Sequence, residues 1–244
     1  METQKLSGPI TLIKKSFEIF FEKENLTLFL KIYCILIPFR LFSLYQNYFI
    51  SSQSKILNTG DPNVVMTKFP IFLAAVVIFN ILLIVATLLV EISGIKAVLE
   101  ILGNGSREVK EVVAYGWKNL WMFFLLSLVI FLILLGGYIL IVIPGIIFTI
   151  WFYFSGTFFV DKGLGVKASL SKSRELIKGK FWQVFGRAII FGIFSILVGA
   201  IISAIPYIGS VVSSLFGALF LIPCVLLYKE LLSIKESSVT EVSA

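Results

Sequence analysis

The chain of 244 residues is 58% hydrophobic and only 14% charged, whereas a soluble domain carries roughly 25% charged residues. This composition excludes an ordinary soluble domain and predicts one compact polytopic membrane domain. The net charge of +7 would suit a nucleic-acid-binding protein if the chain were soluble. Because the basic residues flank apolar segments, the charge indicates membrane topology and contact with anionic lipid, and no nucleic acid is expected.

Six apolar segments are long enough to cross a bilayer, which takes about 20 helical residues. Residues 119–160 and 188–228 contain no charged residue, and each stretch is predicted as a helical hairpin that turns at a proline, Pro144 or Pro206. The first segment is interrupted by Lys31, Pro38 and Arg40. The predicted spans are residues 26–48, 71–90, 120–141, 145–160, 182–204 and 210–227.

The connections between these segments differ in length and charge. Residues 49–68 are predicted as one real outer loop around the turn cluster Asn58-Thr59-Gly60-Asp61-Pro62. If both termini are cytoplasmic, the inner segments hold 16 of the 21 basic residues and the outer loop holds two, Lys55 and Lys68. An excess of lysine and arginine marks the cytoplasmic side. We therefore predict a multi-pass protein of the cell (plasma or inner) membrane with both termini in the cytoplasm.

The inner segments before spans one, three and five resemble one another, and each ends in a lysine. Three pairs of residues are 62 positions apart: Lys118 and Lys180, Gly137 and Gly199, and Pro144 and Pro206. This register predicts three parallel units, each an amphipathic surface helix followed by a hairpin. The units are residues 7–102, 106–161 and 164–232 of a single membrane domain, 1–232, and residues 233–244 form a polar cytoplasmic tail.

The three surface helices are predicted from apolar residues at helical spacing. They lie on the inner leaflet with lysines toward lipid phosphates, or they form a docking surface for a cytoplasmic partner. The apolar faces are Ile10, Ile13, Phe17 and Phe20 in the first helix, Val109, Val112, Val113 and Trp117 in the second, and Val166, Leu170 and Ile177 in the third. Residues Lys167, Ser171, Arg174 and Lys178 form the basic stripe of the third helix.

Three stretches carry a resemblance to a known family: Ile143-Pro144-Gly145, Asp161-Lys162-Gly163, and the run from Ser171 through Lys178-Gly179-Lys180 and Trp182 to Gly186. This pattern resembles a large family of poorly characterised prokaryotic six-helix membrane proteins. The family includes the membrane domain attached to some bacterial glycerophosphodiester phosphodiesterases. The match covers residues 140–232 and is weak before residue 100. The resemblance implies six helices and a non-catalytic membrane module, because in fused members a separate soluble domain performs the hydrolysis.

Chemistry-bearing residues are few. The chain has no histidine, and its two cysteines, Cys34 and Cys224, both fall in apolar segments. The sequence therefore supports neither a zinc site nor a disulfide framework. The acids Glu91 and Glu100 are placed just after span two, and no span holds a pair of acids. We expect no metal, no cofactor and no enzymatic activity.

Two sets of residues are candidate functional sites. Arg40 and Asn80 are predicted at similar depth in the first hairpin, where they form a polar site unless Arg40 extends to the head groups. Lys31 and Arg187 are expected to extend toward inner-leaflet phosphates. The candidate lipid- or partner-binding residues are Lys167, Lys172, Arg174, Lys178, Lys180 and Arg187.

Two functions remain open from the sequence. The first is a non-enzymatic membrane module that engages inner-leaflet lipid, expected to be anionic, or a partner protein or second copy through its basic helices. The second is a transporter of a small molecule or lipid with a polar path near Arg40 and Asn80.

Overall fold

The computed structural model describes residues 6–57, 62–140, 142–205 and 209–242. Their side chains are described except at 48–72, 203, 210 and 238–242. These residues form helices and contain no strand. A short 3-10 turn, Cys34–Leu36, separates α2 from α3. The helices are α1 Pro9–Phe21, α2 Lys23–Tyr33, α3 Ile37–Leu57, α4 Pro62–Leu102, α5 Val109–Leu140, α6 Val142–Trp151, α7 Ser155–Lys162, α8 Val166–Ile177, α9 Phe181–Ser203, α10 Gly209–Leu215 and α11 Gly217–Val242.

Within the described part of the chain, six helical segments are long and apolar enough to cross a membrane. Each overlaps one predicted span, which confirms the prediction of an all-α polytopic membrane protein. The candidate spans are Lys23–Asn47, Leu73–Leu102, Val109–Leu140, Val142–Lys162, Phe181–Ile202 and Val211–Ser237.

The predicted outer loop, residues 49–68, is wrong over most of its length. Helix α3 continues to Leu57 and helix α4 begins at Pro62. No proline or glycine occurs between Tyr48 and Leu57 to end α3, and proline is favoured in the first turn of a helix, where its missing N–H costs nothing. Residues 58–61 of the predicted turn cluster lie outside the described residues.

Two of the three predicted surface helices are separate helices, α1 and α8, whereas the second is not. Residues 109–117 form the first turns of α5, which runs on into the third span. Helix α8 ends at Ile177, and Gly179, two residues later, has a φ of +84° that favours glycine. The chain has no comparable stop between Trp117 and Leu120, so one continuous helix forms there.

Three candidate spans are interrupted. The first contains the 3-10 turn, the fourth has a non-helical stretch at 152–154 between α6 and α7, and the sixth is broken at Phe216 between α10 and α11. Phe154 and Phe216 are 62 positions apart, the spacing of the predicted repeat.

The matched glycines of the predicted repeat lie in different surroundings. A Cβ at Gly137 would lie 3.1 Å from the Gly145 Cα, whereas a Cβ at Gly199 would meet no atom within 4 Å. Pro206, the partner of Pro144, lies outside the described residues. The repeat and its unit boundaries therefore stay predictions.

Helix α4 lies at the centre of the larger hydrophobic cluster, where Ile92 and Val98 are buried against α2, α5, α7 and α11. The second cluster joins the interruption of span four to α8 and α11 through Phe154, Ile177 and Tyr228. Helix α9 contributes few buried residues and exposes Ile196 and Ile201, as expected of a lipid-facing helix. Helix α11 continues through the predicted tail boundary at residue 232 as far as Val242.

Candidate functional site

Contacts between distant segments gather at one end of the helix bundle. The Ser7 N–H donates to Glu230 Oε2 at 3.1 Å, and Arg107 Nη1 lies 2.6 Å from Glu24 Oε2. Asp161 accepts hydrogen bonds from Tyr228 Oη and Lys229 Nζ, each at 2.8 Å. All of these residues belong to segments that the charge pattern predicts to be cytoplasmic or to their span ends. The structure thus brings the predicted inner segments together.

Helix α8 packs its apolar side on the protein, not on a free surface. Leu176 and Ile177 are buried in the cluster around Phe154 and Phe158. Ser173 is also buried: its Oγ accepts the Phe154 N–H at 3.2 Å and donates to the Trp151 carbonyl at 2.7 Å. Ser173 therefore supplies hydrogen bonds to the interrupted backbone of span four, a role that sequence reasoning missed.

Two basic residues of α8 are engaged by the protein. Glu175 pairs with Lys235 at 2.6 Å and with Lys172 at 3.0 Å. Hydrogen bonds from Lys235 and then from Lys172 lower the pKa of Glu175 to about 2. The Arg174 guanidinium lies 4.3 Å from the centre of the Trp151 ring, a cation–π contact.

Three lysines near α8 have no such partner. Lys167 and Lys178 are exposed, and neither they nor Lys180 form an ion pair with the described residues. Burial lowers the pKa of Lys180 from its usual value. The neighbouring Trp182 is 77% exposed, so the end of α9 presents a lysine and a tryptophan side by side.

Arg187 has a role different from the predicted extension toward phosphates. Its Nε and Nη2 donate to the Ser7 carbonyl at 3.0 and 2.8 Å, and Nη2 also donates to the Leu6 carbonyl at 3.1 Å. Its Nη1 donates to the Gln183 carbonyl at 2.9 Å. Arg187 thus holds the N-terminal segment against α9, and Lys31 is exposed.

Arg40 and Asn80 lie on neighbouring helices but share no described hydrogen bond. Ring contacts of Phe79 with Phe39 and Phe42, with centres 5.7 and 4.1 Å apart, place the two residues at similar depth. The Asn80 amide donates instead to the Val76 carbonyl of its own helix at 2.7 Å. The Arg40 Nε is buried and has no hydrogen-bond partner in the described structure.

A cavity of about 260 Å³ lies between α4, α5, α11 and the interruption of span four. Its polar lining comprises Glu91, Ser127, Tyr153, Thr157 and Cys224. The Tyr153 Oη and Cys224 Sγ are hydrogen-bonded at 2.8 Å. The described residues contain no group of three or more potential His, Cys, Asp or Glu metal ligands.

Sequence reasoning placed Glu91 just beyond span two, whereas it lies inside the candidate span Leu73–Leu102. The apolar residues Ile92, Ile95, Val98 and Leu102 continue after it at helical spacing, and they were the signal that the span extends past the acid. The structure therefore adds an acid within a membrane span to the candidate residues.

Comparison of the chain with protein-family models, with curated proteins and with solved structures gave no match. The resemblance to the six-helix prokaryotic family accordingly stays a prediction.

Proposed function

We propose that this chain is a non-enzymatic membrane module that engages anionic lipid at its inner surface. One observation carries the proposal: Lys167 in the first turn of α8 and Lys178, the residue that follows its last turn, are exposed and form no ion pair with the described residues. Their spacing of 11 residues is about three helical turns, and the Lys178 N–H still donates to the Arg174 carbonyl, so the spacing favours the same side of the helix for both. Lys172 and Arg174, in contrast, already contact Glu175 and Trp151.

The surroundings of these lysines support a lipid ligand. Trp117, Trp121 and Trp182 are 66%, 70% and 77% exposed, and Lys118 and Lys180 lie beside them in the chain. Exposed tryptophans next to lysines are typical of the head-group layer, and each lysine near an anionic surface contributes about 1 kcal/mol of attraction. Because the apolar side of α8 is buried against the protein, its lysines would contact the lipid without insertion of the helix.

Purified protein titrated with phosphatidylglycerol or phosphatidylcholine tests this proposal. We expect phosphatidylglycerol to raise the unfolding temperature of the wild type more than phosphatidylcholine does. The double variant Lys167→Gln/Lys178→Gln should lose at least half of that difference. Lys55→Gln/Lys68→Gln, which removes the same charge from the predicted outer side, should keep it. An unchanged difference in the α8 variant would refute the assignment, and no lipid preference in the wild type would favour a protein partner.

A transport function is the second candidate, and the unpartnered Arg40 Nε favours it. A buried guanidinium nitrogen without a hydrogen-bond partner is costly in a membrane span and suggests a polar path. With Cys34 and Cys224 replaced by alanine, a single cysteine at position 40 should then react with a membrane-impermeant thiol reagent in intact cells. Protection of position 40, with a cysteine at position 55 labelled as the control, would argue against this path.

A further inference from the structure

The Glu91 carboxylate is the feature of the cavity that most needs explanation. Glu91 lies between Val90 and Ile92, both buried, at a position inside the candidate span Leu73–Leu102. Its own side chain is exposed and contributes to the wall of the cavity. No ion pair or hydrogen bond joins Glu91 to any described residue. The next cation along α4, Lys96, is already paired with Glu100 at 2.6 Å. A carboxylate at this depth is expensive unless a cation or a proton accompanies it.

Two hydroxyl groups in the lining of the cavity also lack hydrogen-bond partners. The hydroxyls of Ser127 and Thr157 line the cavity and have no hydrogen-bond partner among the described residues. The remaining wall is mainly aliphatic and aromatic and includes Phe123 and Phe152. One acid and two hydroxyls facing an apolar, aromatic wall form an arrangement typical of ligand sites, in which a few polar groups orient a mostly apolar molecule.

The position of the cavity agrees with a binding role. It adjoins residues 152–154, where the helix of span four is interrupted, and Gly156 on α7 contributes to its wall. Non-helical backbone at membrane depth is tolerated where it is buried in protein or lines a cavity, and membrane binding sites recur at such interruptions. The volume of about 260 Å³ lies just below the range of drug-sized pockets and suits a small molecule.

The chemistry of the lining selects the kind of cation. A calcium ion takes six to eight oxygen ligands, whereas this cavity offers one carboxylate and a few hydroxyls. An ammonium group suits it better, because its N–H groups donate to a carboxylate and to hydroxyls, and its charge is attracted to aromatic faces. We propose that the cavity binds a small protonated amine, with the ammonium at Glu91 and the apolar body against Phe123 and Phe152.

The experiment uses the full chain in detergent or nanodiscs, with hexylammonium as the probe and hexanol and hexanoate as analogues of equal length. Binding is measured by calorimetry and by the shift in unfolding temperature. We expect hexylammonium to bind and to stabilise the wild type, and each analogue to bind at least tenfold more weakly. Glu91→Gln should weaken hexylammonium binding at least tenfold, because a charge-assisted hydrogen bond is lost.

Two further variants separate binding from folding. Glu108→Gln removes an exposed acid from the turn before α5 and should leave binding unchanged. A Cβ at Gly156 would make only ordinary contacts, 3.5 Å to Phe123 and 3.6 Å to Ile95. Gly156→Leu should therefore fold, fill the cavity and abolish binding while Glu91 remains. Equal binding of hexanol and hexylammonium, retention of binding in Glu91→Gln, or no binding by the wild type would each overturn the proposal.

Discussion

A single hydroxyl, that of Ser173, satisfies backbone groups on both sides of the interruption in span four. Hydrocarbon offers no hydrogen bonds, so a backbone group that leaves the helical pattern within a membrane span needs a partner from the protein. Ser173 Oγ accepts from the Phe154 N–H and donates to the Trp151 carbonyl. The same contact fixes α8 against α6 and α7. Ser173 therefore couples the position of the basic helix to the shape of the fourth span.

Ser173→Ala should lower the free energy of unfolding by about 1–3 kcal/mol, because it leaves a buried N–H and a partly buried carbonyl without a partner. Ser171→Ala on the exposed side of the same helix is the matched control and should change stability by less than about 0.5 kcal/mol. Unfolding by detergent titration measures both. Equal effects of the two variants would show that the Ser173 bridge is not important for stability.

For the basic residues within or beside spans, the sequence predicted their positions but not their partners. Lys31, Arg40 and Arg187 were all predicted to extend toward head groups or to form a polar site. The structure gives Arg187 the backbone carbonyls of Leu6 and Ser7, exposes Lys31 and buries the Arg40 Nε. A charge within an apolar segment is visible in the sequence, but its partner depends on which distant segment folds against it.

At the scale of the element, α8 is held to the protein by more than its apolar residues. Glu175 lies between Lys172 of its own helix and Lys235 of α11. These hydrogen bonds hold the pKa of Glu175 at about 2, below the usual 4.5. A carboxyl whose pKa is lowered on folding contributes stability above its unfolded pKa and loses it as the pH falls through the folded pKa.

The Glu175 contribution should therefore be complete above about pH 4.5 and should vanish as the pH approaches about 2. Glu175→Gln should unfold at a lower temperature than the wild type at pH 7, by a small amount because the group is largely exposed. The difference in unfolding temperature between the two proteins should disappear on acidification, and thermal unfolding from pH 7 to pH 2 measures it. A difference in unfolding temperature that does not change with pH would mean that the ion pairs of Glu175 do not stabilise the protein.

The helical hairpins of the predicted repeat can be compared through their matched glycines. Gly137→Ala should destabilise the protein by about 1–3 kcal/mol, because the new Cβ would lie 2.8 Å from Phe148 and 3.1 Å from the Gly145 Cα. Gly199→Ala meets open space and should be neutral or stabilising by up to about 1 kcal/mol. Unfolding midpoints of the two variants provide the measurement. Similar destabilisation of both would show that the hairpins pack alike, as the repeat predicts.

At the scale of the whole molecule, the six candidate spans form one bundle whose predicted inner segments contact one another. The N-terminal segment reaches α9 and α11 through Arg187 and Glu230, and the turn after α4 reaches α2 through Arg107 and Glu24. An even number of spans with such contacts places both termini at the same end of the bundle. The charge pattern then predicts that this end is cytoplasmic.

Reporters fused before Met1 and after Ala244 test this topology. Both should report a cytoplasmic location, because an even number of crossings returns the chain to its starting side and the inner segments hold most of the lysines and arginines. Activity assays of a reporter that works on only one side of the membrane provide the measurement. Two external readouts would reverse the orientation, and readouts on opposite sides would contradict six crossings.

Hydropathy alone determined that the protein is helical, crosses the membrane and has six spans. A segment in hydrocarbon must form its backbone hydrogen bonds within itself, and a helix needs about 20 apolar residues to cross. Local sequence also identified Arg40 as a charged candidate within the first span. Only the tertiary structure decided that Ser173 bridges a broken span, that Arg187 holds the N-terminal segment and that Glu91 faces a cavity. Each of these depends on contacts between residues far apart in the chain, and no local periodicity records which helix packs against which.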